Sequence, residues 1–211
     1  MKEEKRLIII TSVMTLVPTI VGLIMWKDLP QKMPSHWNSK GEVDGYTNKA
    51  MFIFLGNFYL LVLHLIISFA TMFDKKIDAL NKKAVRFVLW IVPTIAIMAT
   101  AVIYPMALGT DLHASDLMLC FIGVIYTIIG IYLSKVKFRS AIGIRTPSTM
   151  RSLMNWIATH NMAEPVWMTA GMIVVFAGCL PINGSIKLLI FVISSLLAVI
   201  IPIVYSELKD I

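Results

Sequence analysis

Apolar residues in this chain gather into six long runs, and polar residues into the short stretches between them. The runs are Leu7–Trp26, Ala50–Phe73, Phe87–Leu108, Leu117–Leu133, Pro165–Pro181 and Leu188–Tyr205. Each approaches the roughly 20 residues that a helix needs to cross a bilayer. They do not alternate as membrane strands would. The pattern predicts an all-α integral membrane protein with six transmembrane helices. Pro18, Pro93 and Pro202 fall inside spans, where neighbouring helices re-satisfy the freed carbonyls. Three polar stretches remain: Lys27–Lys49, Gly109–Asp116 and Ser134–Glu164.

Composition strengthens this reading. Hydrophobic residues make up 58% of the chain and charged ones 15%, against about a quarter charged in soluble domains. Of the 19 basic residues, 14 fall at the N-terminus, after the second run (Lys75, Lys76, Lys82, Lys83, Arg86), after the fourth (Lys135, Lys137, Arg139, Arg145, Arg151) and at Lys209. Basic loops stay inside, so the bias predicts an N-in/C-in chain with Lys27–Lys49 facing out. Anionic lipid accounts for the net charge of +7, and no direct nucleic-acid binding is expected. No alanine precedes Ala50, so the first run lacks a signal-peptidase site and is expected to persist as a helix. Cys120 and Cys179 both sit in predicted spans and read as small hydrophobes, with neither disulfide nor metal assigned. A faint repeat joins "LVPTI" at 16–20 to "IVPTI" at 91–95, with Pro30 and Pro105 each 12 residues further on. Either helices 1–2 and 3–4 are parallel duplicates or the likeness is chance similarity between apolar strings.

The first polar stretch contains "MPSHWNSKGEVDGYTNK". Pro30 and Pro34 stop a helix, and Asn38, Gly41, Asp44 and Gly45 are turn formers. Trp37 and Tyr46 suit the headgroup level. An ordered, folded-back outer loop is expected. In the third stretch, Thr146-Pro147 reads as an N-cap and first helical position. Met150, Leu153, Met154 and Ile157 then form one apolar stripe, predicting a short amphipathic helix on the inner leaflet. Trp156 and His160 neighbour each other on its flank. No acid lies between Ser134 and Asn161, so the segment reads as cationic and headgroup-binding, with a docking or switching role as the alternative.

These two stretches resemble the two signatures of SdpI-type immunity proteins. The first has the form L-P-x-x-x-P-x-H-W-N-x-x-G-x-x-D-G-Y-x-x-K, filled by Leu29, Pro30, Pro34, His36, Trp37, Asn38, Gly41, Asp44, Gly45, Tyr46 and Lys49. It resembles the loop of the small domain of unknown function that opens those proteins. The second runs G-I-R-T-P-W-T-L and then W-x-x-T-H-R. Gly143, Ile144, Arg145, Thr146, Pro147, Thr149, Trp156, Thr159 and His160 match it. Ser148 stands in place of Trp, Asn161 in place of Arg, and Arg139 where an Asn is expected. The resemblance divides the chain into residues 1–73, a two-helix unit with the outer loop, and 74–211, a four-helix SdpI-like region. It implies a multi-pass protein of the Gram-positive cell membrane that protects against a secreted peptide toxin. It also implies a sensor that holds a cytoplasmic transcriptional repressor at the membrane. On that basis Pro34, His36, Trp37, Asn38, Gly41, Asp44, Gly45 and Tyr46 would shape a toxin-facing surface. Gly143, Arg145, Thr146, Pro147, Trp156 and His160 would form the inner partner or switch segment.

Two polar residues fall within a span. His64 and Asn57 are seven apart in the second run, on similar faces, and an ionisable group there is either functional or bonded to a neighbouring helix. Glu164 is placed to pair with Arg145 or Arg139. No nucleophile elbow, zinc-protease or phosphate-loop motif occurs, so neither enzymatic activity nor a cofactor is expected. A metal site from His36, Asp44, Asp111, His113 and Asp116 would have irregular spacing, and His160 with Arg145 makes a poor hydrolase. The alternative function is a small transporter or exporter of an amphipathic molecule, with His64 and Asn57 lining its path.

Overall fold

The computed structural model describes residues 2–72, 79–110 and 112–209. Lys75, Lys76 and Asp111 lie outside them. Seven helices and one hairpin are described: α1 (Lys2–Ile24), β1 (Lys32–Trp37), β2 (Val43–Asn48), α2 (Asn57–Met72), α3 (Ala79–Ala107), α4 (Ala114–Leu133), α5 (Pro147–Arg151), α6 (Leu153–Cys179) and α7 (Gly184–Leu208). A π-helical stretch, Met51–Gly56, leads into α2. Six segments are long and apolar enough to cross a membrane: Lys5–Ile24, Met51–Thr71, Val85–Ala107, Ala114–Leu133, Leu153–Cys179 and Gly184–Leu208. The six predicted spans are therefore present. The fifth begins at Leu153 rather than Pro165, because Pro165 is accommodated inside α6.

The described chain forms two compact units. One draws on the described residues within 1–73 and 85–115, the other on those within 74–84 and 116–211. In the first, Leu29, Met33, Ile53, Ile103 and Tyr104 make a closed apolar core. The Tyr104 hydroxyl donates to the Pro18 carbonyl at 3.2 Å. Gly22 leaves room for that ring, since a Cβ there would lie 2.5 Å from the hydroxyl. The repeat suggested by the two "VPTI" strings is reproduced only in part: Pro30 lies beyond α1, whereas Pro105 lies inside α3.

In the second unit, α4 and α6 cross on glycines. A Cβ on Gly123 would meet the Gly171 carbonyl at 2.6 Å, and one on Gly171 the Gly123 carbonyl at 2.5 Å. Lipid tails give no hydrophobic drive between helices, so close backbone approach over small residues is what holds such a crossing. Burial is accordingly inverted relative to a soluble bundle. In α7, Lys187, Ser194, Ala198, Pro202 and Ser206 are buried while Leu188, Leu189, Val192 and Leu196 are exposed. Tyr126 bonds Ser195 at 3.2 Å and packs on Trp167.

Candidate functional site

The stretch expected to be an outer loop is an antiparallel β-hairpin. Pairing runs Lys32↔Asn48, Met33↔Thr47, Pro34↔Tyr46, His36↔Gly45 and Trp37↔Val43. Ser35 is the extra residue on β1 and Asp44 on β2, so two irregularities cancel and the ends stay in register. Asn38 closes the turn. Its Oδ1 accepts from the Lys40 and Glu42 amides at 2.9 and 3.1 Å, and its Nδ2 donates to the Glu42 carboxylate at 3.0 Å. Gly41 supplies a φ of 85°. Gly45 is needed for a different reason: a Cβ there would lie 2.7 Å from that of His36.

An isolated two-stranded hairpin is marginal in water, so something else must hold it. Two residues do. Met33 is wholly buried in the first unit's core, and Trp37 packs partly against it. Lys49 is 3% exposed, and its ammonium donates to the Trp26 and Leu29 carbonyls, each at 2.7 Å. Those carbonyls follow the end of α1, where unpaired acceptors and the negative end of the helix dipole favour a cation. The Lys49 ammonium also sits 5.0 Å from the centre of the Trp26 ring. What remains outward is polar and aromatic. His36 Nδ1 donates to the Asp44 carboxylate at 2.5 Å, with both side chains largely in solvent, and Tyr46 is exposed. Trp37 is therefore a partial core residue, while Tyr46 is free to meet a partner or headgroups. Of the imagined metal ligands, His36 and Asp44 meet each other and Asp116 pairs with Lys187. No group of three such residues occurs among the described residues.

The basic segment folds around Gly143, Trp156 and His160. Gly143 has a φ of 126°, and a Cβ on it would lie 2.6 Å from His160 Nε2. His160 Nδ1 donates to the Trp156 carbonyl at 2.8 Å, and Nε2 accepts from the Ile144 amide at 2.9 Å. Both ring nitrogens are thus used by a neutral imidazole. The Trp156 indole stacks on His160 with centroids 4.2 Å apart and donates to the Val136 carbonyl at 2.9 Å. Thr146 and Thr149 form a reciprocal cap on α5, and Thr146 Oγ1 also meets Ser206 Oγ at 2.9 Å. Pro147 occupies the first helical position, as expected.

The predicted amphipathic helix is divided. α5 ends at Arg151, Ser152 is extended and caps the next helix, and Leu153 onward belongs to α6. The apolar residues Leu153, Met154 and Ile157 are exposed, while Asn155, Trp156, Thr159 and His160 are buried. The buried face is the polar one. Asn155, which the sequence reading passed over, ties this segment to the C-terminus: its Nδ2 donates to the Ser206 and Lys209 carbonyls at 2.8 and 2.7 Å, and its Oδ1 accepts from Thr159 at 2.9 Å. An asparagine at i−4 from a threonine before a span was the available signal.

Two of the three departures from the motif, Ser148 and Arg139, have bonding partners of their own. Ser148 Oγ donates to the Glu207 carboxylate at 2.7 Å. Arg139 has a φ of 58°, a region that Asn tolerates best, and it donates from Nε to the Met150 carbonyl at 2.7 Å. Arg145 is exposed and reaches the Ser140 carbonyl at 3.3 Å. Where a pairing with Glu164 was expected, both guanidinium groups donate to backbone carbonyls of their own segment.

His64 and Asn57 both face inward. Asn57 Nδ2 donates to the Ile53 carbonyl at 2.7 Å, at the end of the π-helical stretch. His64 is fully buried, 3.1 Å from Thr11 Oγ1 through Nε2 and 3.4 Å from Ser68 Oγ, and its Nδ1 has no hydrogen-bond partner among the described residues. With Thr15 and Thr71 also buried, a polar seam joins α1 to α2.

Comparison with protein families matches both halves. Residues 135–206 match the SdpI/YfhL protein family, and residues 13–61 match a domain of unknown function, DUF1648. The first covers the basic segment, α5, α6 and nearly all of α7; the second covers the hairpin with the later half of α1 and the start of α2. No curated protein and no solved structure matches the chain. With both matches in order along a six-span chain, this is a multi-pass membrane protein whose residues 135–206 form a region of the SdpI/YfhL family type, preceded by a DUF1648 domain.

Proposed function

We propose that the protein protects its cell from a secreted peptide toxin, and that toxin binding also leads it to hold a cytoplasmic transcriptional repressor at the membrane. The observation that carries this reading is the SdpI/YfhL match over 135–206, preceded by the hairpin domain. The hairpin supports it physically. Its base is anchored by Met33 and Lys49, while His36, Asp44 and Tyr46 stay exposed as a polar, aromatic surface fit to contact a peptide. On the basic segment, exposed Arg145 is the contact residue, and Gly143, Trp156 and His160 hold it in place. Toxin that binds one arrangement better than another shifts the population between them.

Expression in a toxin-sensitive strain tests the immunity role. Survival is expected to rise with the intact chain and to fall for His36→Ala/Tyr46→Ala at equal membrane abundance. Unchanged survival with well-expressed protein removes the reading. For sensing, a fluorescent repressor is expected to move to the membrane on toxin addition, and a repressor that stays cytoplasmic refutes that half. The transporter reading draws support from His64 in the polar seam, whose Nδ1 has no hydrogen-bond partner among the described residues. His64→Leu separates the two: transport is lost, whereas protection by toxin binding persists.

A further inference from the structure

Cys120 and Cys179 are 59 residues apart in sequence, yet their sulfurs lie 3.6 Å apart. Cys179 is the last residue of α6 and is exposed; Cys120 lies less than two turns into α4 and is half-buried. The helices already touch here. A Cβ on Gly178 would lie 2.9 Å from the Asp116 carbonyl oxygen and 3.1 Å from the Cys120 amide nitrogen, so the two backbones approach closely beside the pair. A disulfide bond is about 2.05 Å long, so the two sulfurs must close together to form one. One turn from Cys120, the Asp116 carboxylate pairs with Lys187 at 2.7 Å, and the same ammonium reaches the Gly178 carbonyl at 3.4 Å. A charged pair marks the polar level of the membrane, so the thiols lie within reach of a water-soluble reagent. The charge distribution places this end outside, where disulfides persist.

We propose that Cys120 and Cys179 form a reversible disulfide that staples α4 to α6. These two helices flank the basic segment, and the staple joins their opposite ends. The oxidant is an external disulfide. One cysteine thiolate attacks it and expels a thiol, leaving a mixed disulfide. The second cysteine then attacks that bond and expels the second thiol, so two cysteine thiols and one disulfide become one intramolecular disulfide and two free thiols.

The test uses the full chain in lipid vesicles treated with oxidised glutathione, then denatured and alkylated with a maleimide before intact-mass analysis. Before oxidation the chain is expected to take two maleimides. Afterwards it takes none, carries no glutathione, has lost two hydrogens, and regains both additions on reduction. Cys120→Ser and Cys179→Ser each end with one thiol, maleimide-labelled or glutathione-capped. Wild-type protein that still takes two maleimides, ends with two glutathiones, or cross-links between chains overturns the proposal.

Discussion

Single residues here do work that their chemical type does not announce. Lys49 occupies a motif position beside an exposed hairpin, yet it is buried and closes the end of α1 through two carbonyls. Lys49→Met would leave both acceptors unsatisfied, at a cost of about 1–3 kcal/mol for each buried group that loses its partner. The hairpin of that variant is expected to be cut faster by protease in intact vesicles; an unchanged cutting rate rejects the anchoring role. Gly143 is the second case. Its φ of 126° and the 2.6 Å approach to His160 leave no room for a methyl group. Strained backbone alone costs about 1–3 kcal/mol. Gly143→Ala should therefore lower the unfolding midpoint in detergent and expose Trp156, seen as a red shift in its fluorescence. By contrast, the His36–Asp44 pair is solvent-exposed and adds about 0–1 kcal/mol to stability. Asp44→Asn is expected to leave the midpoint in place, so any effect on protection would report recognition.

At the scale of elements, the inverted burial pattern is the governing fact. In α6 the stripe of Leu153, Met154 and Ile157 looks outward, and the polar face carrying Asn155, Thr159 and His160 looks inward. In a membrane helix the apolar side meets lipid and hydrogen-bonding groups seek protein. The stripe was visible in the sequence; that it marks lipid rather than a core could not be decided without the neighbouring α7 termini that Asn155 bonds. The α4–α6 crossing follows the same logic, since Gly123 and Gly171 approach through backbone atoms. Gly171→Leu would force the helices apart, with overpacking costs of about 1–3 kcal/mol or more. A lowered unfolding midpoint with retained helical circular dichroism is the expected result, and an unchanged midpoint contradicts the crossing.

For the whole molecule, topology is the property on which the functional reading rests. In a background lacking Cys120 and Cys179, a cysteine placed at Ser39 should react with an impermeant maleimide in intact cells, and one placed at Ser148 should not. The reverse pattern inverts the chain and removes the hairpin from the toxin's side. The two-unit division also bears on this scale. The described part of α3 from Val85 groups with the hairpin helices, and α4 with α6 and α7. Loop polarity alone does not reveal such grouping, because it depends on which helix faces are complementary.

The amino-acid sequence by itself determined the number of spans, their approximate limits and the two motif-bearing stretches. Length and hydropathy are local quantities, and the bilayer imposes them segment by segment. The tertiary structure decided the rest: that the first stretch pairs as a hairpin, that Lys49 turns inward, that Asn155 reaches the C-terminus, and that two distant cysteines meet. Each of these depends on which hydrogen-bond acceptor or backbone surface another part of the chain brings near, and no spacing along one segment encodes that.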